Sequence, residues 1–165
     1  MNVRLAHADE APVVAAVLSA AAAHLRARGS ELWPVGEVSV SAVAPHVEAG
    51  LYHLGFENSQ AIGVFRLQSD DPDFWPEFQD GRSVYLHKLA VLPAMRGRGL
   101  AHELLRHAVG IARERGASFL RLDCMTDRAA LRKLYEEFGF SHHSQKVLGG
   151  VSFERFEFDV RGTDA

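Results

Sequence analysis

Apolar residues recur along the chain with two spacings, and the switches between them lay out the elements. A short strand over "VRLAH" gives way to Val13, Val14, Val17, Leu18, Ala21 and Leu25, the stripe of an amphipathic helix that Asp9 would cap and Gly29 would end. "ELWPVGEVSVSAVAPHVEAG" combines a proline break with a short helical pattern, and "LYHLGFE" and "AIGVFRLQ" alternate as two strands joined by the turn "NSQ". An acidic, aromatic loop follows, "SDDPDFWPEFQDGR". "SVYLHKLAVL" is the strongest strand pattern, stopped by Pro93, and "LAHELLRHAVGIARER" the strongest helix, with Ala101, Leu104, Leu105, Ala108 and Ala112 on one face and Gly116 as its stop. After the strand "SFLRLDC", the stretch "DRAALRKLYEEF" puts Leu131, Leu134, Tyr135 and Phe138 on one helical stripe that ends at Gly139. "FSHHSQKVL", a Gly149-Gly150 turn and "VSFERFEFDV" close the chain as a hairpin. The order predicts a mixed α/β (α+β) fold with a sheet of about seven strands.

Composition narrows the class. With 165 residues, 47% hydrophobic and 24% charged, the chain reads as one globular domain over residues 1–165. A net charge of -3 lacks the basic footprint of a nucleic-acid binder, so no nucleic-acid partner is expected. Cys124 is the single cysteine and has no partner for an internal disulfide, which fits a reducing compartment and predicts a cytoplasmic protein. The alanine-rich "APVVAAVLSAAAAHL" falls short of the roughly 20 apolar residues of a membrane span, and reads as a core helix. No membrane association is expected.

The chemistry centres on "RGRGLAH", residues 96–102, between the strongest strand and the strongest helix. A helix start exposes unpaired amides and the positive end of the dipole, so a glycine loop feeding one can wrap phosphate oxygens, with Arg96 and Arg98 adding charge. The Walker pattern fails because no Gly-Lys-Ser/Thr follows. The dinucleotide fingerprint fails because His102 stands where a third small residue belongs. What remains is Arg96-x-x-Gly99-x-Ala101 directly after an apolar strand. With "YLHKLAV" before it, "HELLRHAVGIARERG" after it, then "FLRLDC" and "ALRKLYEEFGF", it resembles the central block of the GNAT superfamily of acyl-CoA-dependent N-acyltransferases over residues 84–140. "VRLAHADEAPVVAAVL" at the N-terminus is similar as well, though less closely.

That resemblance implies a GNAT-like fold, a central and mostly antiparallel sheet flanked by about four helices, and an enzyme that moves an acetyl group from acetyl-CoA to a primary amine in a ternary complex. Arg96, Gly97, Arg98, Gly99, Leu100, Ala101 and His102 would cradle the pyrophosphate. The backbone of Leu89, Ala90 and Val91 would hold the pantetheine arm and the acyl carbonyl, while their side chains are also ordinary core. Tyr135 stands where the family places a tyrosine near the coenzyme sulfur and would supply the proton for the departing thiolate; it also completes an apolar stripe. Many relatives carry a glutamate base where Tyr85 stands here, which leaves His87, two positions along the same strand, as either the base or a hydrogen-bonded core histidine. Lys88 would point to the other face and reach the surface or a carboxylate. Relatives often have an asparagine near the start of the later helix where Arg128 stands here; Arg128 and Arg132, one turn apart, would meet phosphates or form a solvated face.

Cys124 lacks an activating partner and reads as core, and His142-His143 lacks further ligands, so no metal is expected. On the acceptor side, Trp33, Phe74 and Trp75 offer aromatic walls, and Asp70, Asp71, Asp73 and Glu77 would attract a cationic amine or merely form a solvated loop. The acceptor is read as a small-molecule amine, a peptide N-terminus or a lysine, and the family likeness admits a homodimer. The competing reading is a catalytically weak acyl-CoA sensor, because the strand glutamate and the helix asparagine are both missing.

Overall fold

The computed structural model describes residues 1–162. The elements run β1 (Asn2–Leu5), α1 (Ala11–Arg26), α2 (Val40–Glu48), β2 (Tyr52–Glu57), β3 (Gln60–Gln68), β4 (Ser83–Val91), α3 (Leu100–Glu114), β5 (Phe119–Met125), α4 (Ala129–Phe138), β6 (Ser141–Leu148) and β7 (Val151–Asp159). The strands form one seven-stranded sheet in the order β1-β2-β3-β4-β5-β7-β6. Antiparallel ladders join β1 to β2, β2 to β3, β5 to β7 and β6 to β7, whereas β4 and β5 run parallel. This is the mixed arrangement of seven strands and four helices that the hydrophobic pattern and the family likeness predict. The chain groups into two compact units, one of Met1–Arg66 with Lys88–Leu104 and one of Leu67–His87 with the residues from Leu105 on.

In the first unit, α1 and α2 bury Val14, Val17, Leu18, Val43 and Val47 in one cluster with Tyr52, Leu54 and Val64 of β2 and β3. Each such side chain contributes about 1.5–3 kcal/mol relative to exposure. Residues Ala8–Arg26 form a helical run of 19 residues that meets the length and hydropathy of a membrane span, but seven residues of α1 are buried within this unit's core. Val13 belongs to the predicted stripe yet lies exposed, because it stands one step around the helix from the buried positions.

Asp9 does not cap α1. It lies inside a short 3-10 turn, Ala8–Glu10, and Glu10 takes the organising role. Its carboxylate accepts the His7 amide at 2.7 Å and both Arg4 guanidinium nitrogens at 2.7 Å. The Arg4 hydrogen bonds hold the Glu10 carboxyl down at about 2 against the opposing effect of burial. A lowered carboxyl stabilises the fold fully above about pH 5 and loses that contribution as pH falls toward about 2. Glu10→Gln is therefore expected to lower the urea midpoint at pH 7, and the difference from wild type should vanish as unfolding is repeated at progressively lower pH.

The β2–β3 hairpin turns on two residues, Asn58 and Ser59, both with positive φ (48° and 65°), as a two-residue hairpin loop requires. The turn is therefore shorter than "NSQ", and Gln60 already belongs to β3. Gly63 faces the first turn of α3: a Cβ there would lie 2.8 Å from a methyl of Leu104, itself fully buried.

In the second unit, Leu105, Ala108, Val109 and Ala112 of α3 are buried together with Leu120 and Leu122 of β5, Tyr135 of α4 and Phe156 of β7. Gly139 ends α4 with φ 115°, its amide bonded to the carbonyls of Tyr135 and Glu136. The final hairpin turns on Gly149 and Gly150, φ 56° and 79°.

Candidate active site

In the first unit the predicted coenzyme residues follow one another along β4 and the loop after it. Lys88 has φ 54°, a left-handed conformation that costs a non-glycine residue about 1–3 kcal/mol and marks a local break in the strand. Its ammonium reaches Glu37 at 2.7 Å and lies 4.9 Å from the Trp33 ring, so it meets a carboxylate as its place in the strand predicts. Ala90 is buried, with Leu89 and Val91 half-buried on either side.

Past the 3-10 turn Pro93–Met95, Gly97 and Gly99 both adopt left-handed φ, 76° and 74°. An added Cβ would meet nothing within 4 Å at either glycine, so the requirement is backbone conformation, and the space beside the loop is open. Leu100 begins α3 and anchors it at 5% exposure, while Ala101 and His102 lie half-buried in its first turn. Arg96 is exposed. Arg98 is gripped by Glu57 through two hydrogen bonds of 2.9 Å, which hold the Glu57 carboxyl below its usual range. A phosphate would meet Arg98 only by sharing it with Glu57.

In the second unit the acidic, aromatic loop is solvated only in part: Asp70, Asp73 and Glu77 are exposed, as a solvated loop predicts. Trp75 is fully buried and Asp71 is 3% exposed, which corrects the reading of Trp75 as an aromatic wall and of Asp71 as loop surface. Two arginines fold the loop down. Arg155 donates to the Phe74 carbonyl at 2.8 Å, pairs with Glu77 at 2.7 Å and lies 4.7 Å from the Trp75 ring. Arg121 stacks on Phe78 at 3.8 Å while bonding Ser83 and Glu157. The Tyr85 hydroxyl donates to the Phe78 carbonyl, and burial raises its phenol above the usual value. Tyr85 thus clamps the loop, and its hydroxyl is engaged in that task.

Beside this clamp His87 lies near two carboxylates, those of Asp71 and Asp123. Its Nε2 is 2.7 Å from Asp71 Oδ2, and Asp71 Oδ1 accepts the Phe74 amide at 3.2 Å. Asp71, His87 and Asp123 of β5 each offer a donor atom within 4.8 Å of the others. The 2.7 Å contact is hydrogen-bonding distance, tighter than the separation of about 3.3 Å between two ligands around a zinc ion. His87 and Asp71 are therefore placed to share a hydrogen bond.

Tyr135 is 5% exposed and packs against Phe140 and Phe156, with ring centroids 5.9 and 5.8 Å away. Burial, followed by Cys124 and Asp123, raises its phenol far above the ordinary range. Cys124 is buried and its thiol is pushed up to about 12, which suits the core reading. Arg128 sits at the N-terminus of α4 without capping it, and its neighbour one turn on, Arg132, donates to the Thr126 carbonyl at 3.4 Å. His142 pairs with Glu154 at 2.6 Å.

Pattern reading missed Asp71 and Asp123 as partners of His87. Two signals were present. In "DPDF" an aspartate precedes by three residues the amide it accepts, a local turn that fixes the carboxylate. In "FLRLDCM" a carboxylate interrupts an otherwise buried strand.

Known proteins resemble this chain in sequence and in fold. The Acetyltransferase (GNAT) family model matches residues 18–140. A Bacillus subtilis (strain 168) protein, the uncharacterized N-acetyltransferase YesJ, is 27% identical over 158 residues, covering 89% of this chain and 85% of its own. A GNAT-family acetyltransferase from Listeria monocytogenes superposes with a TM-score of 0.80 at 22% identity, covering 96% of this chain and 94% of the other. YncA from Salmonella typhimurium, a putative acetyltransferase solved with acetyl-CoA, superposes with a TM-score of 0.75 at 20% identity, covering 100% and 96%. A family match across three quarters of the sequence, joined to a seven-stranded sheet of the same fold, makes this chain a member of the GNAT family of acetyltransferases.

Proposed function

We propose that this acetyltransferase moves an acetyl group from acetyl-CoA to a primary amine by direct attack within a ternary complex. The observation that carries the reading is the loop Arg96–Ala101. Two left-handed glycines with open space beside them feed straight into the start of α3, where unpaired amides and the helix dipole favour a pyrophosphate. The binding of acetyl-CoA by the Salmonella relative supports it. The backbone of Leu89, Ala90 and Val91 holds the pantetheine arm and the acetyl oxygen, and Arg96 adds charge at the phosphates, joined by Arg128 or Arg132 toward the adenosine end.

The amine reacts in its neutral form: its nitrogen forms the new C–N bond at the thioester carbonyl, and the C–S bond breaks. The second amine proton balances the departing thiolate. Tyr135 serves this step differently from a simple acid. A thiol has an ordinary pKa near 8.5, and a phenol raised above its usual value by burial would transfer its proton to that thiolate uphill. Tyr135 therefore stabilises the leaving sulfur by donating a hydrogen bond and keeps its proton. The transfer as proposed uses no metal. A lone, buried cysteine supports residence in a reducing cytoplasm.

The test is thermal unfolding with acetyl-CoA, coenzyme A, NAD and ATP. A ligand at about 100 times its dissociation constant adds roughly 2.7 kcal/mol of stability. Acetyl-CoA and coenzyme A are expected to raise the midpoint while NAD and ATP leave it in place; a panel without any coenzyme A shift removes the assignment of the loop.

A further inference from the structure

We propose that Asp71 presents His87 as the base that takes the first proton from the acceptor ammonium. The proposal rests on the acetyl-transfer reading above and adds to it a positioning residue on the loop before β4.

The geometry states the task of each atom. His87 Nε2 lies 2.7 Å from Asp71 Oδ2. A carboxylate at that distance accepts the Nε2–H, so the neutral imidazole keeps its lone pair on Nδ1. Asp71 is almost wholly buried, and its other oxygen is occupied by the Phe74 amide at 3.2 Å. The carboxylate therefore has one orientation, and the imidazole bonded to it has one tautomer.

The loop that carries Asp71 is held rigidly by residues of the same unit. Arg155 ties the Phe74 carbonyl, Tyr85 ties the Phe78 carbonyl, and Arg121 stacks on Phe78. The Phe74 ring stands 6.1 Å from the imidazole and is itself braced edge-on by Phe153 at 5.0 Å. Such support is what a proton acceptor needs, because general-base catalysis depends on geometry before pKa.

Among the described residues two acidic groups lie near His87: Asp71 from the loop and Asp123 from β5. Both stabilise the imidazolium formed when the ammonium gives up its proton. The step balances simply. One N–H bond of the acceptor ammonium breaks, one N–H bond forms at Nδ1, the free amine attacks the thioester, and the imidazolium later returns its proton to solvent.

The experiment uses the full chain as wild type, Asp71→Asn and Asp71→Glu. Thiol release from acetyl-CoA is followed with ethanolamine, spermidine, tyramine and a lysine peptide, and the His87 tautomer is read by 15N NMR without any acceptor. Wild type is expected to show the Nε2–H tautomer. Asp71→Asn is expected to retain the acetyl-CoA thermal shift, to lose about 100-fold in kcat with little change in KM for acetyl-CoA, and to lose the preference of His87 for a single tautomer. Asp71→Glu should recover part of the rate. Wild-type turnover in Asp71→Asn overturns the proposal, as does an Nδ1–H tautomer in wild type, or activity that EDTA abolishes and Mn2+ restores. If Asp71→Asn fails to fold, the wild-type tautomer decides. Absence of an acetyl-CoA shift in wild type instead overturns the underlying acetyl-transfer reading, and so separates the two failures.

Discussion

Tyr135→Phe is expected to lower kcat by about 100- to 1,000-fold, the usual cost of deleting one hydrogen-bond donor aimed at developing charge. The substitution removes a single oxygen from a side chain that is 5% exposed and packed between Phe140 and Phe156. The packing stays, so the unfolding midpoint and the acetyl-CoA shift should stay with it. The pH profile adds a sharper check. Burial raises the Tyr135 phenol far above its ordinary range, so the hydroxyl stays protonated around neutral pH. Neither limb of the wild-type profile should therefore belong to Tyr135, and the Phe variant should keep both limbs at reduced height. Turnover equal to wild type in the Phe variant would remove the hydroxyl from the mechanism.

Trp75→Ala should cost about 3–5 kcal/mol, the range for deleting a large buried aromatic side chain. For a protein whose total stability is about 5–15 kcal/mol, that is a large fraction. The indole is fully buried and contacts Phe78 and Tyr85, with His143 against its edge at 5.2 Å. Arg121 and Arg155 also lie over its face at 5.2 and 4.7 Å, so two buried cations would lose a π partner as well as the packing. Urea unfolding of the Ala variant gives the number directly. Trp75→Phe is the control: the indole N–H finds no hydrogen-bond partner among the described residues, so a smaller aromatic ring should restore a good part of the loss. A loss below about 1 kcal/mol for Trp75→Ala would mean that the loop is not the packed element described here. Because Asp71 rides on the same loop, the Ala variant should also lose turnover before it unfolds globally.

Much of this protein was legible one residue at a time. The seven strands and four helices follow from apolar spacing and from punctuation by Gly29, Pro93, Gly116, Gly139 and Gly149-Gly150, because these depend on local backbone preferences. The glycine loop was legible for the same reason: Gly97 and Gly99 are needed for φ values that other residues resist. Errors arose where a specific side-chain partner decided the outcome. Asp9 looks like a cap by position, yet Glu10 prevails because Arg4 and the His7 amide converge on its carboxylate. "SDDPDFWPEFQDGR" looks solvated by composition, yet Arg121 and Arg155, far along the chain, draw Trp75 and Asp71 into the interior.

The sequence by itself therefore determined the order of elements, the family and the glycine loop before α3, since each is written in short-range spacing. Only the tertiary structure decided which side chains meet: that Asp71 and Asp123 flank His87, that Tyr85 is a clamp, and that Glu57 engages Arg98. The physical reason is that burial and pairing of charge are set by contacts between residues up to 81 positions apart, and local backbone preference does not encode which side chain will be the partner.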